Sequence, residues 1–134
     1  MRKLIALGSL AVLAFSLASV AAAADKPATT PQLGKLRHVV LFKFKEGTAA
    51  EDVKKIEDAF RALPKKIPQV VAFEWGTDCN VEGLSQDFTH CFLVTFNDAT
   101  ARAIYLPHPA HKAFVAVLKP HLDKVLVIDY VVKD

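Results

Sequence analysis

The strand-like runs of this chain are apolar on both alternating sets of side chains, and that limits what it can fold into. In Phe88 to Asn97 (FTHCFLVTFN), His90, Phe92, Val94 and Phe96 alternate with Cys91, Leu93 and Thr95. In Lys124 to Val132 (KVLVIDYVV), Val125, Val127 and Val131 alternate with Leu126, Ile128, Tyr130 and Val132. Successive side chains of a strand point to opposite faces, so a sheet built from these runs needs cover on both. Helices supply one cover. An antiparallel sheet usually turns polar residues to its other face, and a large bare apolar patch is what lone subunits avoid. The pattern predicts a homodimer in which a second copy covers the open sheet face, with two-fold symmetry.

The remaining elements set the order. Leu36 to Lys45 (LRHVVLFKFK) reads as the first strand, with His38, Val40, Phe42 and Phe44 on one face. Thr48 to Leu63 reads as an amphipathic helix with Val53, Ile56, Phe60 and Leu63 in one stripe. Thr48 and Glu51 resemble a capping box there, and Pro64 ends the helix. Gln69 to Asp78 is a second strand, joined to Phe88–Asn97 by a polar loop around Gly83. Asp98 caps a short helix over Ala99 to Tyr105. A longer helix runs from Ala110 to Asp123, with Phe114, Val117, Leu118 and Leu122 on one side and Pro120 loosening its last turn. The order βαββαβ predicts an α+β, ferredoxin-like fold: a four-stranded antiparallel sheet with helices on one face.

Ahead of this domain, Arg2 and Lys3 precede an apolar run from Leu4 to Val20 and the small residues Ala21 to Ala24. That is the layout of a secretory signal peptide. The expected division is a signal over 1–24, a flexible Pro- and Gly-containing leader over 25–35, and the barrel-forming domain over 36–134. Export to the periplasm or the exterior follows, with no membrane association after signal removal. Of 134 residues, 110 remain, and the formal charge falls from +3 to +1 as Arg2 and Lys3 leave. A nearly neutral domain with scattered cations gives no case for nucleic acid. Cys79 and Cys91 meet an oxidising compartment. Two readings stand: a disulfide, or a stagger of about three residues that leaves both thiols free.

Chemistry concentrates in Tyr105-Leu106-Pro107-His108-Pro109-Ala110-His111-Lys112. Proline is poorly tolerated inside a helix but suits its first position, so one helix stops near Tyr105 and another starts near Pro109. Tyr105, His108 and His111 are then held together at a helix terminus. Histidine exchanges a proton near neutral pH, and tyrosine can donate to a developing oxyanion. With His38 approaching from the sheet, the group suits proton abstraction beside a carbonyl, with His111 as base. The alternative is structural: His108 caps the helix, His111 bonds the loop backbone, and His38 is a satisfied core histidine. His108, His111 and His38 lack the further ligand that a zinc site needs, so no metal is expected. Glu74 and Asp129 lie within strands, at a sheet edge or paired across it. No phosphate-binding glycine loop, nucleophile elbow or dinucleotide fingerprint is present, and no cofactor is expected.

Leu36 to Lys45, Trp75-Gly76, Phe88-Thr89-His90 and His108-Pro109-Ala110-His111 together resemble the stress-responsive dimeric α/β-barrel (Dabb) family, over about Leu36 to Tyr130. The resemblance implies ferredoxin-like subunits paired sheet to sheet into a barrel. Most of that family has no established reaction. A plant polyketide cyclase within it performs an aldol condensation, and its functional tyrosine and histidine match Tyr105 and His111 by motif position. Its first-strand histidine matches His38. The resemblance thus implies Tyr105 and His111 as a candidate catalytic pair. The expected binding residues for a small apolar molecule are His38, Phe42, Tyr105, His108 and His111. A binding or stress-associated role and a lyase or cyclase role both remain open.

Overall fold

A computed structural model describes residues 32–134; the expected signal peptide and most of the expected leader lie outside the described residues. Eight elements follow in order: β1 (Leu36–Phe44), α1 (Ala50–Arg61), α2 (Leu63–Lys66), β2 (Val70–Thr77), β3 (His90–Phe96), α3 (Ala99–Tyr105), α4 (Pro109–Leu118) and β4 (Leu122–Val131). The four strands form one antiparallel sheet in the order β2-β3-β1-β4. This is the ferredoxin-like arrangement.

Alternation along β1 and β3 decides what the helices cover. Leu36, His38, Val40 and Phe42 of β1 and Phe92, Val94 and Phe96 of β3 are all buried. They meet Ile56 and Phe60 of α1, Leu63 of α2, Tyr105 of α3, and Phe114 and Leu118 of α4 in one core. At its centre Phe60 stacks on Phe92 with ring centroids 4.4 Å apart, and it lies 4.5 Å from Phe114. The opposite sheet face carries Val39, Leu41, Leu93, Leu126, Ile128 and Tyr130, and none of the helices among the described residues lies over it. Ile128 is 50% exposed there.

Both long helices differ from their sequence expectation. Thr48 makes no capping box: its hydroxyl donates to the Lys45 carbonyl at 2.7 Å, and α1 starts at Ala50 with no side-chain cap. Pro64 does not simply end a helix. It sits in the first turn of the short α2, where its missing N–H has no partner to lose. The last helix stops at Leu118 rather than Asp123. Pro120 cannot donate to a continuing ladder, and the chain turns so that Leu122 already belongs to β4. Val117, expected on the covered side, is 45% exposed.

Ordered structure also reaches back before Leu36. Gly34, at a φ of +78°, makes the turn that lets its N–H donate to the Val132 carbonyl, 3.0 Å away, and Val132 donates in turn to Lys35. On the other side of the sheet, Gly76 lies opposite Cys91, and Asp78 donates to the Thr89 carbonyl at 2.9 Å. Cys79 is therefore three residues past the partner position of Cys91, and both thiols are free.

Candidate functional site

Tyr105 is the last residue of α3, a helix held at its start by the Asp98 side chain, which accepts from the Ala101 N–H at 2.8 Å. The Tyr105 ring is fully buried, 4.9 Å from Phe96 and 4.5 Å from His111 between centroids. Its hydroxyl has no hydrogen-bond partner among the described residues. Burial pushes the phenol well above its ordinary range, so it stays protonated and can only gain by donating.

His111 enters from the first turn of α4. Its Nδ1–H donates to the Leu106 carbonyl at 2.9 Å, which leaves Nε2 as the bare nitrogen of a neutral ring. Burial holds the His111 imidazole below its ordinary range; the Leu106 carbonyl opposes this in part, and the nearby His38 and His108 add to it. At neutral pH this is a base rather than an acid.

His38 comes from the sheet. It faces the helices from β1, directly opposite Asp129 of β4. Its Nδ1–H donates to Asp129 Oδ1 at 2.7 Å, and Asp129 Oδ2 forms an ion pair with Arg102, 2.8 Å from Nη1. The His38 ring lies 6.0 Å from that of Tyr105, edge to face.

His38, Phe42, Tyr105 and His111 line one cavity of about 220 Å³, closed mainly by Phe114, Leu118 and the valines of β4. His108 is not among its walls. Its Nδ1 accepts from the Ala110 N–H at 3.1 Å, capping α4 behind Pro109. A histidine one residue before a Pro-started helix is well placed to satisfy an orphan N–H, and that role takes its Nδ1. Among the described residues no group of three or more His, Cys, Asp or Glu side chains is placed to hold a metal ion.

Asp129 and Arg102 were missed as site residues. The signal was present. Asp129 is the one acid in the apolar interior of KVLVIDYVV, on the same alternating set as Val125 and Val127. A carboxylate turned toward a core needs a partner, and His38 is the polar residue of β1 on that face.

Residues 36–132 match the sequence model of the Stress Responsive A/B Barrel Domain, Dabb. The chain belongs to this family. It is 41% identical over 97 residues to the stress-response A/B barrel domain-containing protein HS1 of Arabidopsis thaliana, covering 72% of this chain and 89% of that protein. It is 27% identical over 95 residues to olivetolic acid cyclase of Cannabis sativa, covering 71% and 94%. Among solved structures, the Dabb fold here is similar to hydroxynitrile lyase from Passiflora edulis, with a TM-score of 0.72 at 23% identity over 78% of this chain and 97% of that one. A dimeric ferredoxin-like protein of unknown function from Jannaschia sp. CCS1 matches with a TM-score of 0.66 at 26% identity, over 74% and 100%. Family and fold are thereby shown, and the ferredoxin-like expectation holds.

Proposed function

We propose that this Dabb protein is an exported homodimer whose cavity holds a small, neutral, largely apolar molecule bearing one oxygen acceptor, a carbonyl or a hydroxyl. The Tyr105 hydroxyl carries the reading. It is buried, unmatched among the described residues, and belongs to a ring that lines an otherwise mostly apolar cavity. A buried donor without a partner costs about 1–3 kcal/mol, and a ligand oxygen offsets that on binding. The lining includes no lysine or arginine, so it offers no cation to a carboxylate or phosphate. A volume of about 220 Å³ suits a small molecule. The uncovered aliphatic sheet face and the dimeric state of the Jannaschia neighbour support the homodimer. The Leu4–Val20 run ending in Ala21–Ala24 supports export.

The test titrates 2-heptanone, hexanal, benzaldehyde and resorcinol against the protein and its Tyr105→Phe variant, following the melting temperature. At least one probe raises the melting temperature of the parent in a concentration-dependent way, and the variant binds it about tenfold more weakly. The reading falls if no probe shifts the parent, or if the variant binds equally well. The dimer is tested separately by sedimentation of Ile128→Glu, which places a charge in the sheet-to-sheet contact. Unchanged association of that variant removes the proposed interface.

A second reading, catalysis, is favoured by His111. Its ring is neutral, has Nε2 bare, and sits 4.5 Å from the phenol that would bind a carbonyl oxygen. In such a reaction His111 Nε2 takes the proton from the carbon beside the carbonyl. The C–H electron pair becomes the enolate double bond, and the Tyr105 O–H steadies the oxyanion. The names of two matched proteins, a cyclase and a lyase, lend this reading weight. Deuterium uptake at the α-carbon of 2-heptanone in heavy water is the direct check. Uptake no faster than in buffer, or equally fast with His111→Gln, leaves binding alone.

A further inference from the structure

We propose that the cavity takes straight-chain aliphatic carbonyl compounds longer than the cavity itself, with the oxygen at Tyr105 and the chain running out along β4. The proposal rests on the cavity being a carbonyl-binding site, and it names the class of molecule bound. It follows from where the helical cover stops. β4 is an outermost strand of the sheet. On its helix side Val127 stands opposite Val40, and Val125 opposite Phe42. Val40 and Phe42 are buried, whereas Val127 and Val125 are nearly half exposed, Val125 at 49%. One strand step thus takes the sheet from under the helices into solvent. The other bank is Leu106, at the end of α3, and Val115 of α4, both exposed. All four exposed side chains also line the cavity. The cavity therefore opens between α4 and β4 through a mouth that is aliphatic on both sides.

The polar groups are sorted to one end. His38, Tyr105 and His111 are the polar side chains of the lining. His38 lies level with Asp129 of β4, and Val127 and Val125 follow on the same face toward the start of that strand. From the level of Asp129 to that of Val125 the strand covers roughly 13 Å, at about 3.3 Å per residue. Along that strip the lining adds only apolar side chains, Val40, Leu118 and Leu122 among them. A volume of about 220 Å³ holds roughly seven heavy atoms at about 30 Å³ each. With an oxygen on Tyr105, a straight chain beyond about six carbons passes the mouth. There it covers aliphatic surface that otherwise meets water. A methylene wholly buried strengthens binding about fourfold, and one laid against a single wall about twofold. A ring compound of the same atom count stays inside and gains nothing from the strip.

The test measures dissociation constants of 2-butanone, 2-heptanone and 2-decanone by titration calorimetry. From 2-heptanone to 2-decanone the affinity rises about eightfold, roughly twofold for each added methylene. Val115→Gln, a change that a helix accepts, removes most of that rise and weakens 2-butanone less than about twofold. Leu106→Gln, on the same bank, has the same effect and replaces it if the first variant does not fold. An affinity that stops rising at 2-heptanone in the parent overturns the proposal and leaves the cavity a carbonyl site. So does a variant that keeps the whole rise, or one that weakens short and long ketones equally. If none of the three ketones binds, the carbonyl reading of the cavity falls and takes this one with it.

Discussion

His38 and His90 lie on the same face of the same sheet, both buried beneath the helices, and differ in what their nitrogens do. His90 has both engaged: Nε2 meets Glu57 Oε1 at 3.0 Å and Nδ1 meets Thr89 Oγ1 at 2.8 Å. Its ring stacks parallel to Trp75 and stands edge-on to Phe44. His38 has one nitrogen engaged and lines a cavity. The surroundings follow the same division. His90 is flanked by Phe44, Phe92 and Trp75, with ring centroids 5.1, 6.2 and 6.4 Å away, whereas beside His38 there is a cavity, an unmatched phenol and a chain of charges. Buried histidine is thus not itself a mark of function. What separates the two is whether their hydrogen-bonding capacity is used up by the fold.

The sharpest way to break that comparison is to damage the filled end. Phe92→Ala removes a ring that lies 4.4 Å from Phe60, 5.2 Å from Phe42 and 5.5 Å from Trp75. It should cost about 3–5 kcal/mol of unfolding free energy, read by urea denaturation at fixed protein concentration. A loss below about 1 kcal/mol would mean that this end is as loosely filled as the other. Next come the histidines themselves. His90→Leu strands Glu57 and should cost about 2 kcal/mol. His38→Leu should cost less, about 1 kcal/mol or under, because Asp129 keeps Arg102. Equal losses would erase the distinction between a structural and an available histidine.

Much of this was legible in the chain. The alternation of His38, Val40 and Phe42 against Val39 and Leu41 gave the covered face, and the Pro-His-Pro break gave the junction of α3 and α4 to within a residue. Less legible was the fate of each histidine, because it depends on cross-strand register and helix approach. Nothing local tells His38 that Asp129, 91 positions later, stands opposite it. His108 and His111 look alike in the sequence. Yet one is spent on the Ala110 N–H and the other reaches the Leu106 carbonyl from inside the first turn. The capping box at Thr48 failed for a related reason: the tight turn after β1 offered its hydroxyl a nearer acceptor, the Lys45 carbonyl.

Tyr105 sharpens the comparison in the opposite direction, because removing an atom there should help the fold. Tyr105→Phe deletes a hydroxyl that has lost water and has no partner among the described residues. The ring contacts with Phe96 and His111 stay. The variant should gain about 1 kcal/mol in the absence of ligand, seen as a higher melting temperature. A destabilised variant would show that the hydroxyl is already satisfied, and the main support for a ligand oxygen at that point would go.

The smallest effect is the dependence of stability on pH through His111. Burial lowers its folded value below the ordinary 6.5, with the Leu106 carbonyl partly opposing and His38 and His108 reinforcing the shift. Between the folded value and 6.5 the unfolded chain binds more protons than the folded one, so stability rises with pH across that window. The contribution is complete above about 6.5 and is lost as the pH falls toward the folded value; below that value it stays lost. His111→Gln should flatten this slope while leaving stability at pH 8 nearly unchanged, measured by urea midpoints from pH 5 to 8. His90, held from both sides, offers the contrast. If the slope survives in His111→Gln but vanishes in His90→Leu, the proton-sensitive end of the core is the filled one, and the assignment of His111 as the cavity's neutral base is wrong.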